Sequence, residues 1–305
     1  MRRRLFLCLC AALLAPPAAH AQQATPDHVF QRTEEILLHL DLLNTANFSE
    51  SAGVEVPSDP TRPRHVLQSA RDVWRKLQLL RYMNGLPTAS LDPVPAREVT
   101  PADVKDVMDR VLSGVVDLRG AYGVDDPVTA PALPQGKTPA DVYANLMRID
   151  AQLDALGVPA TVPNDVFQLA SSVLMALEDI ATHAGIEADT ASLWPETGRT
   201  PENVYKAVHQ LIADLKTLSD ADARFAVDGI VDPSLVSGDI TPSEVMKILS
   251  RAMADVQAIR AAAGVPDPAE TAPYVGGKTP SDVYFAVKRA RAVVAALSGA
   301  SGSLF

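Results

Sequence analysis

The sequence predicts an all-α protein of eight helices, each about 20 residues long, built as four helical hairpins. Three observations predict it. A helix-start motif recurs eight times, an apolar stripe of helical period follows the motif, and the spacing between copies groups them in pairs.

The motif is Thr-Pro-x-Asp-Val with drift. It begins at Thr25, Arg62, Thr100, Thr138, Val162, Thr200, Thr241 and Thr279, and proline and valine stand in all eight copies. Threonine at the N-cap accepts a hydrogen bond from a free N–H of the first turn. Proline at the first helical position has no N–H to leave unsatisfied, and its fixed φ suits the helix. A polar or acidic third residue bonds back to the cap and favours the positive helix end. Arg62 and Val162 replace threonine, so those two starts are expected to be weaker.

The elements follow in order. In the first unit (22–95), helices start after Thr25 and Arg62, and Gly53-Val54 reads as the end of the first helix. In the second (96–160), the stripe after Thr100 runs Val104, Val107, Met108, Val111, Leu112, Val115 and Leu118 to Gly123, and the partner starts at Thr138. In the third (161–225), Val166, Leu169, Val173, Leu174, Leu177 and Ile180 lead to Gly185, and Val204, Val208, Leu211, Ile212, Leu215 and Leu218 follow Thr200. The fourth (226–298) starts at Thr241, closes its first helix at Gly264 and starts again at Thr279. Glycine at 123, 185 and 264 is the left-handed C-cap. No comparable run alternates with period two, so no sheet is expected.

Within units the caps are 37 or 38 residues apart; between units the spacing is 38, 24 and 41. Three connections inside units run from the C-cap glycine to the next cap at one constant length, long for a helix–helix link of about 2–8 residues. Constant length reads as an ordered strap lying along each hairpin. The stretches 84–99 and 219–240 read as hinges. Two packings fit: one continuous solenoid of hairpins, or two antiparallel four-helix bundles. The short link from Gly157 to Val162 favours the solenoid. The signature residues of tetratricopeptide and ankyrin arrays are missing.

The ends bound the compartment. Arg2 to Arg4, an apolar run from Leu5 to Ala15, a Pro16-Pro17 break and Ala19-His20-Ala21 read as a signal peptide, residues 1–21, cleaved after Ala21. The apolar run is too short to span a bilayer, which takes about 20 residues. Residues 299–305 read as a flexible tail. Both cysteines, Cys8 and Cys10, lie in the leader, which excludes a disulfide scaffold, a thiol enzyme and a cysteine-ligated metal site from the mature chain. Cleavage removes three arginines and no acid, taking the formal charge from −10 to −13. Such a surface repels nucleic acid and anionic lipid.

Candidate chemistry is sparse. Gly-Lys-Thr at 136–138 and 277–279 has the end of a phosphate loop, but Pro131 and Ala272 stand where that loop needs glycine. Lys137, Arg199 and Lys278 each sit beside a helix start, where an anion is favoured, and also beside an acidic strap they would neutralise. Histidines 28, 39, 65, 183 and 209 form no ligand pair of metal-binding spacing, and no Ser/His/Asp set stands out. Tyr143, Tyr205 and Tyr284 share one position in three second helices, with Phe30 and Phe167 matching in two first helices; these read as packing between helix and strap. Trp194 and Tyr274 lie within straps, as pins or as an exposed partner surface.

These readings give a non-enzymatic protein, periplasmic or secreted, that binds a protein of the cell envelope through its repeat surface. It takes no cofactor and no metal, binds no nucleic acid, and has no membrane span in the mature chain. The candidate binding residues are Trp194, Tyr274, Lys137, Arg199 and Lys278, and no residue is assigned to catalysis. The alternatives are a helical bundle holding a small ligand and, last, a hydrolytic or metal-dependent enzyme using scattered carboxylates and histidines.

Overall fold

A computed structural model describes residues 24–56, 58–235 and 238–299. The signal peptide, 1–21, and residues 300–305 of the tail lie outside the described residues. Eight α-helices are present: α1 (Pro26–Ala46), α2 (Pro63–Met83), α3 (Pro101–Ala121), α4 (Pro139–Ala155), α5 (Pro163–Ala184), α6 (Pro201–Ala221), α7 (Pro242–Ala262) and α8 (Pro280–Leu297). Among the described residues there is no strand, and a single 3-10 turn spans Ala223–Phe225.

Every α-helix begins on the proline of the motif. The third helical residue reaches back to the N-cap N–H: Asp103 at 2.7 Å, Asp141 at 2.8 Å, Asp165 at 2.9 Å and Asp282 at 2.8 Å. In α1 and α2 a histidine Nδ1 does this work, His28 at 3.2 Å and His65 at 3.1 Å. The backward half of the capping box thus serves Arg62 and Val162 without any threonine, and both helices reach full length. At the other end, Gly123, Gly185 and Gly264 adopt φ of 68°, 68° and 76° as expected. The first unit differs: α1 stops at Ala46, seven residues before Gly53, and Phe48 takes the left-handed conformation at φ 52°.

The helices form two four-helix bundles, α1–α4 and α5–α8, each with its own apolar core. This corrects the continuous stack favoured by the short link. That link joins the end of the first bundle to the start of the second. Around each bundle the order is α1, α3, α2, α4, and likewise α5, α7, α6, α8. Consecutive helices α1 and α2 therefore face each other across the diagonal, as do α3 and α4; among the described residues neither pair packs backbone to backbone as neighbours. The hairpins expected from the sequence are not formed, and 22–95 is not a two-helix body.

The helices of a bundle are also parallel, not antiparallel. Pro26, Pro63, Pro101 and Pro139 meet at one end with Val29, Val66, Val104 and Val142, and the second bundle repeats this with its own four prolines and valines. Side-chain pairs agree, since Asn145 bonds Thr33 and Glu34 while Gln152 bonds Asp41, a constant offset along α1 and α4. Strap length permits it. A 21-residue helix is about 31 Å long, and 14 extended residues span roughly 46 Å. Each strap carries the chain from the C-terminal end back to the N-terminal end.

The straps are pinned on the way. The strap before α4 lies along α1, with Gln31 Nε2 donating to the Pro131 carbonyl (2.7 Å) and the Lys137 N–H donating to Asp27 (2.6 Å). The strap before α8 repeats both bonds on α5, through Gln168 to Ala272 (2.9 Å) and Lys278 to Asn164 (2.7 Å). Buried Arg119 and Arg260 hold the matching strap starts through the Asp126 and Asp267 carbonyls. The two stretches read as hinges are anchored too. Residue 89 accepts from Trp74 and residue 92 from Arg71, while Phe225 and Ile230 are buried in the second core.

The bundles lie side by side through α2 and α7. His65 meets Asp255 and Asp72 meets Ser250, so these two helices run antiparallel and the bundles point in opposite directions. Four parallel helices sum their dipoles, about half a charge per helix end. Opposed bundles set each positive end near the negative end of the other.

Candidate functional site

The five residues singled out in the sequence separate into two kinds. Lys137 Nζ lies 4.1 Å from the centre of the Phe30 ring, Lys278 Nζ 4.4 Å from Phe167, and the Arg199 guanidinium 4.5 Å from Tyr284. Their backbone N–H groups donate to Asp27, Asn164 and Ser281. These cations clasp the end of a strap to the first turn of a neighbouring helix, and stacking on a ring is worth about 0.5–2 kcal/mol. At Phe30, Phe167 and Tyr284, three of the five copies of the repeated aromatic position, the ring is the platform for that clasp.

Trp194 and Tyr274 are the other kind. Trp194 is 80% exposed and Tyr274 is 56% exposed, with Val275 beside it at 40%. The strap of Trp194 is held on α8 by the Glu196–Lys288 bridge at 2.9 Å, and the strap of Tyr274 on α5 through Ala272 N–H and Ser172 at 2.9 Å. Helices α5 and α8 are neighbours, and α8 lies diagonally opposite α7. The strap of Trp194 is therefore carried on the side of the second bundle away from α7. Lys137, on the first bundle, is not brought to this surface.

A second region was missed in the sequence. A cavity of about 50 Å³ lies between α2, α4 and α7, lined by His65, Asp72, Tyr143, Met147, Asp150, Ser250 and Arg251 among others. His65 Nδ1 accepts from the Arg62 N–H, which fixes its tautomer: Nε2 carries the proton and donates to Asp255 Oδ1 at 2.9 Å. Arg64 Nε donates to the same oxygen at 2.7 Å. Burial pushes the His65 pKa down, against the hydrogen bond it donates to Asp255. Burial alone would raise Asp255, but the bonds and charge from His65 and Arg64 reverse this and hold it below its ordinary value.

Asp72 is different. Ser250 Oγ donates to its Oδ2 at 2.6 Å, yet burial pushes its pKa up to about 6, against Arg75 and Ser250 and helped by Asp150. Asp150 itself is paired with Lys76 at 2.7 Å.

Serine, histidine and aspartate meet here without forming a nucleophile. Both ring nitrogens of His65 are committed, and the Ser250 hydroxyl donates to a carboxylate rather than to a base. His39, on α1, accepts from Arg119 at 2.9 Å. Among the described residues, no three His, Cys, Asp or Glu side chains gather around a point where a metal ion would sit, and no helix is long and apolar enough to cross a membrane.

The cavity was hidden because its partners lie about 180–190 residues apart. Two local signals existed. His65 replaces the acid usual at the third helical position, and Asp255 interrupts a buried apolar stretch of α7.

Comparison with protein-family models, with curated proteins and with solved structures finds no match to this chain.

Proposed function

We propose that the mature chain is an exported, non-enzymatic binding protein that docks a protein of the cell envelope through the straps of its second bundle. The observation that carries this reading is the exposure of Trp194, 80%, on a strap that is itself pinned by Glu196 and Lys288. A rigidly presented tryptophan loses little freedom when it is covered, and aromatic anchors of this kind contribute about 2–4 kcal/mol to an interface. Tyr274 and Val275 on the adjoining strap extend the apolar surface. The cavity volume of about 50 Å³ favours this over a small-ligand bundle, since ligand pockets usually run to about 300–1,000 Å³.

Crosslinking in intact cells that express the tagged chain, followed by capture and mass spectrometry, tests the reading. A specific envelope protein should be captured, and Trp194→Ala with Tyr274→Ala should reduce its yield at least ten-fold while the helical CD signal is retained. Capture unchanged by the double substitution removes the straps as the docking surface. A search that returns no specific protein overturns the reading itself.

A further inference from the structure

The two bundles are copies, and the second shows what one place in the first lacks. Residues of α6 and its strap correspond to those of α2 at an offset of 138, and residues of α8 to those of α4 at 141, by the spacing of the caps. In the second bundle the groove between α6 and α8 is closed by its own chain. Arg199 stacks on Tyr284, Glu196 bridges Arg199 and Lys288, and Arg291 bonds Asp214 (2.7 Å) and Gln210 (2.7 Å).

In the matching groove of the first bundle the charges are exchanged position by position, with Lys76 standing for Asp214. Tyr143 stands for Tyr284, Met147 for Lys288, Asp150 for Arg291 and Asp72 for Gln210. Thr61 stands where the second bundle has Arg199, and among the described residues no lysine or arginine stacks on the Tyr143 ring. What remains beside Tyr143 is the cavity of about 50 Å³, with Asp72 and Asp150 in its wall. At about 10–15 Å³ for each water-sized group it holds about four such groups, the size of a guanidinium head.

We propose that this groove between α2, α4 and α7 receives an arginine side chain of the partner protein, its guanidinium stacked on Tyr143 and paired with Asp72. The inference rests on the binding function above. Among the described residues no lysine or arginine forms an ion pair with Asp72, although the Arg75 charge acts on it, whereas Asp150 is taken by Lys76 and Asp255 by Arg64. Two cations, Arg251 and Lys247, also line the cavity. The Arg251 guanidinium is held by the Pro60 carbonyl at 2.9 Å, and Lys247 lies exposed at the rim. Stacking and a charge-assisted bond act together here, as they do at Tyr284.

The test uses the full mature chain and agmatine, an arginine side chain without its carboxylate. Titration followed by amide NMR should give saturable shifts at Ser69, Asp72, Tyr143, Met147 and Ser250, with millimolar affinity. Thr61→Arg rebuilds the arrangement of the second bundle and should fill the groove; Asp72→Asn removes the charge. Each should weaken agmatine binding at least ten-fold, with the fold checked by CD. Shifts that fall elsewhere, or that persist in both variants, overturn the proposal. In the capture experiment, Thr61→Arg should also lose the partner. Capture lost with Trp194→Ala and Tyr274→Ala but kept with Thr61→Arg discards the groove and leaves the binding function standing.

Discussion

Asp72→Asn is expected to stabilise this protein at neutral pH, and the gain should vanish in acid. The carboxyl is enclosed by α2, α4 and α7, and its pKa rises from 3.8 to about 6 as burial opposes its charge. An acid with a raised folded-state pKa costs stability wherever the unfolded chain ionises it more readily. The cost is complete above the folded value of about 6, shrinks as pH falls and is gone below the unfolded value of 3.8. The gap between those values, at about 1.36 kcal/mol per pH unit, sets a ceiling of roughly 3 kcal/mol near pH 7.5. Near pH 5 about half should remain, and near pH 3.5 almost none. Asparagine keeps an oxygen to accept from the Ser250 hydroxyl, so the hydrogen bond at 2.6 Å need not be lost. Urea unfolding by far-UV CD at pH 7.5, 5 and 3.5 measures the difference. Equal stabilities at pH 7.5, or a gain that does not change with pH, refute the reasoning.

Other substitutions test other joints. Asp255→Ala leaves the half-buried Arg64 without its carboxylate and takes the acceptor from the buried His65; the expected loss is about 3–5 kcal/mol in urea unfolding, with the bundles separating first. In α3, Gly114→Ala puts a methyl 2.8 Å from Cδ2 of the fully buried Leu77 and should destabilise by about 1–3 kcal/mol, while Gly120→Ala meets no neighbour and should gain up to about 1 kcal/mol. Thermal melts of the two alanine variants should therefore move in opposite directions.

The candidate surface was half legible in the sequence. Trp194 and Tyr274 stood out because apolar aromatics are unusual in acidic straps, and the structure leaves them exposed. Lys137, Arg199 and Lys278 stood out through their place before a cap, but their contacts with Phe30, Tyr284 and Phe167 make them clasps. The groove at Tyr143 was not legible. Tyr143 and Tyr284 occupy the same position in their helices, and only the residues brought against them from other elements make their surroundings differ.

The same division holds for the fold. The starts at Pro26, Pro63 and the six later prolines, the glycine ends and the buried stripes follow from the sequence alone. Each depends on residues within a turn or two of chain, where cap hydrogen bonds and helical period act. The tertiary structure decided that the helices run parallel, that α1 faces α2 across a diagonal, and that α2 meets α7. A strap of constant length suits a hairpin and a return crossing equally well, so length leaves direction open. Direction is settled where four valines close one end of a core, and the docking of the bundles where Asp255 finds His65 and Arg64 about 190 residues away. Those are contacts between elements, and no local rule along the chain encodes them.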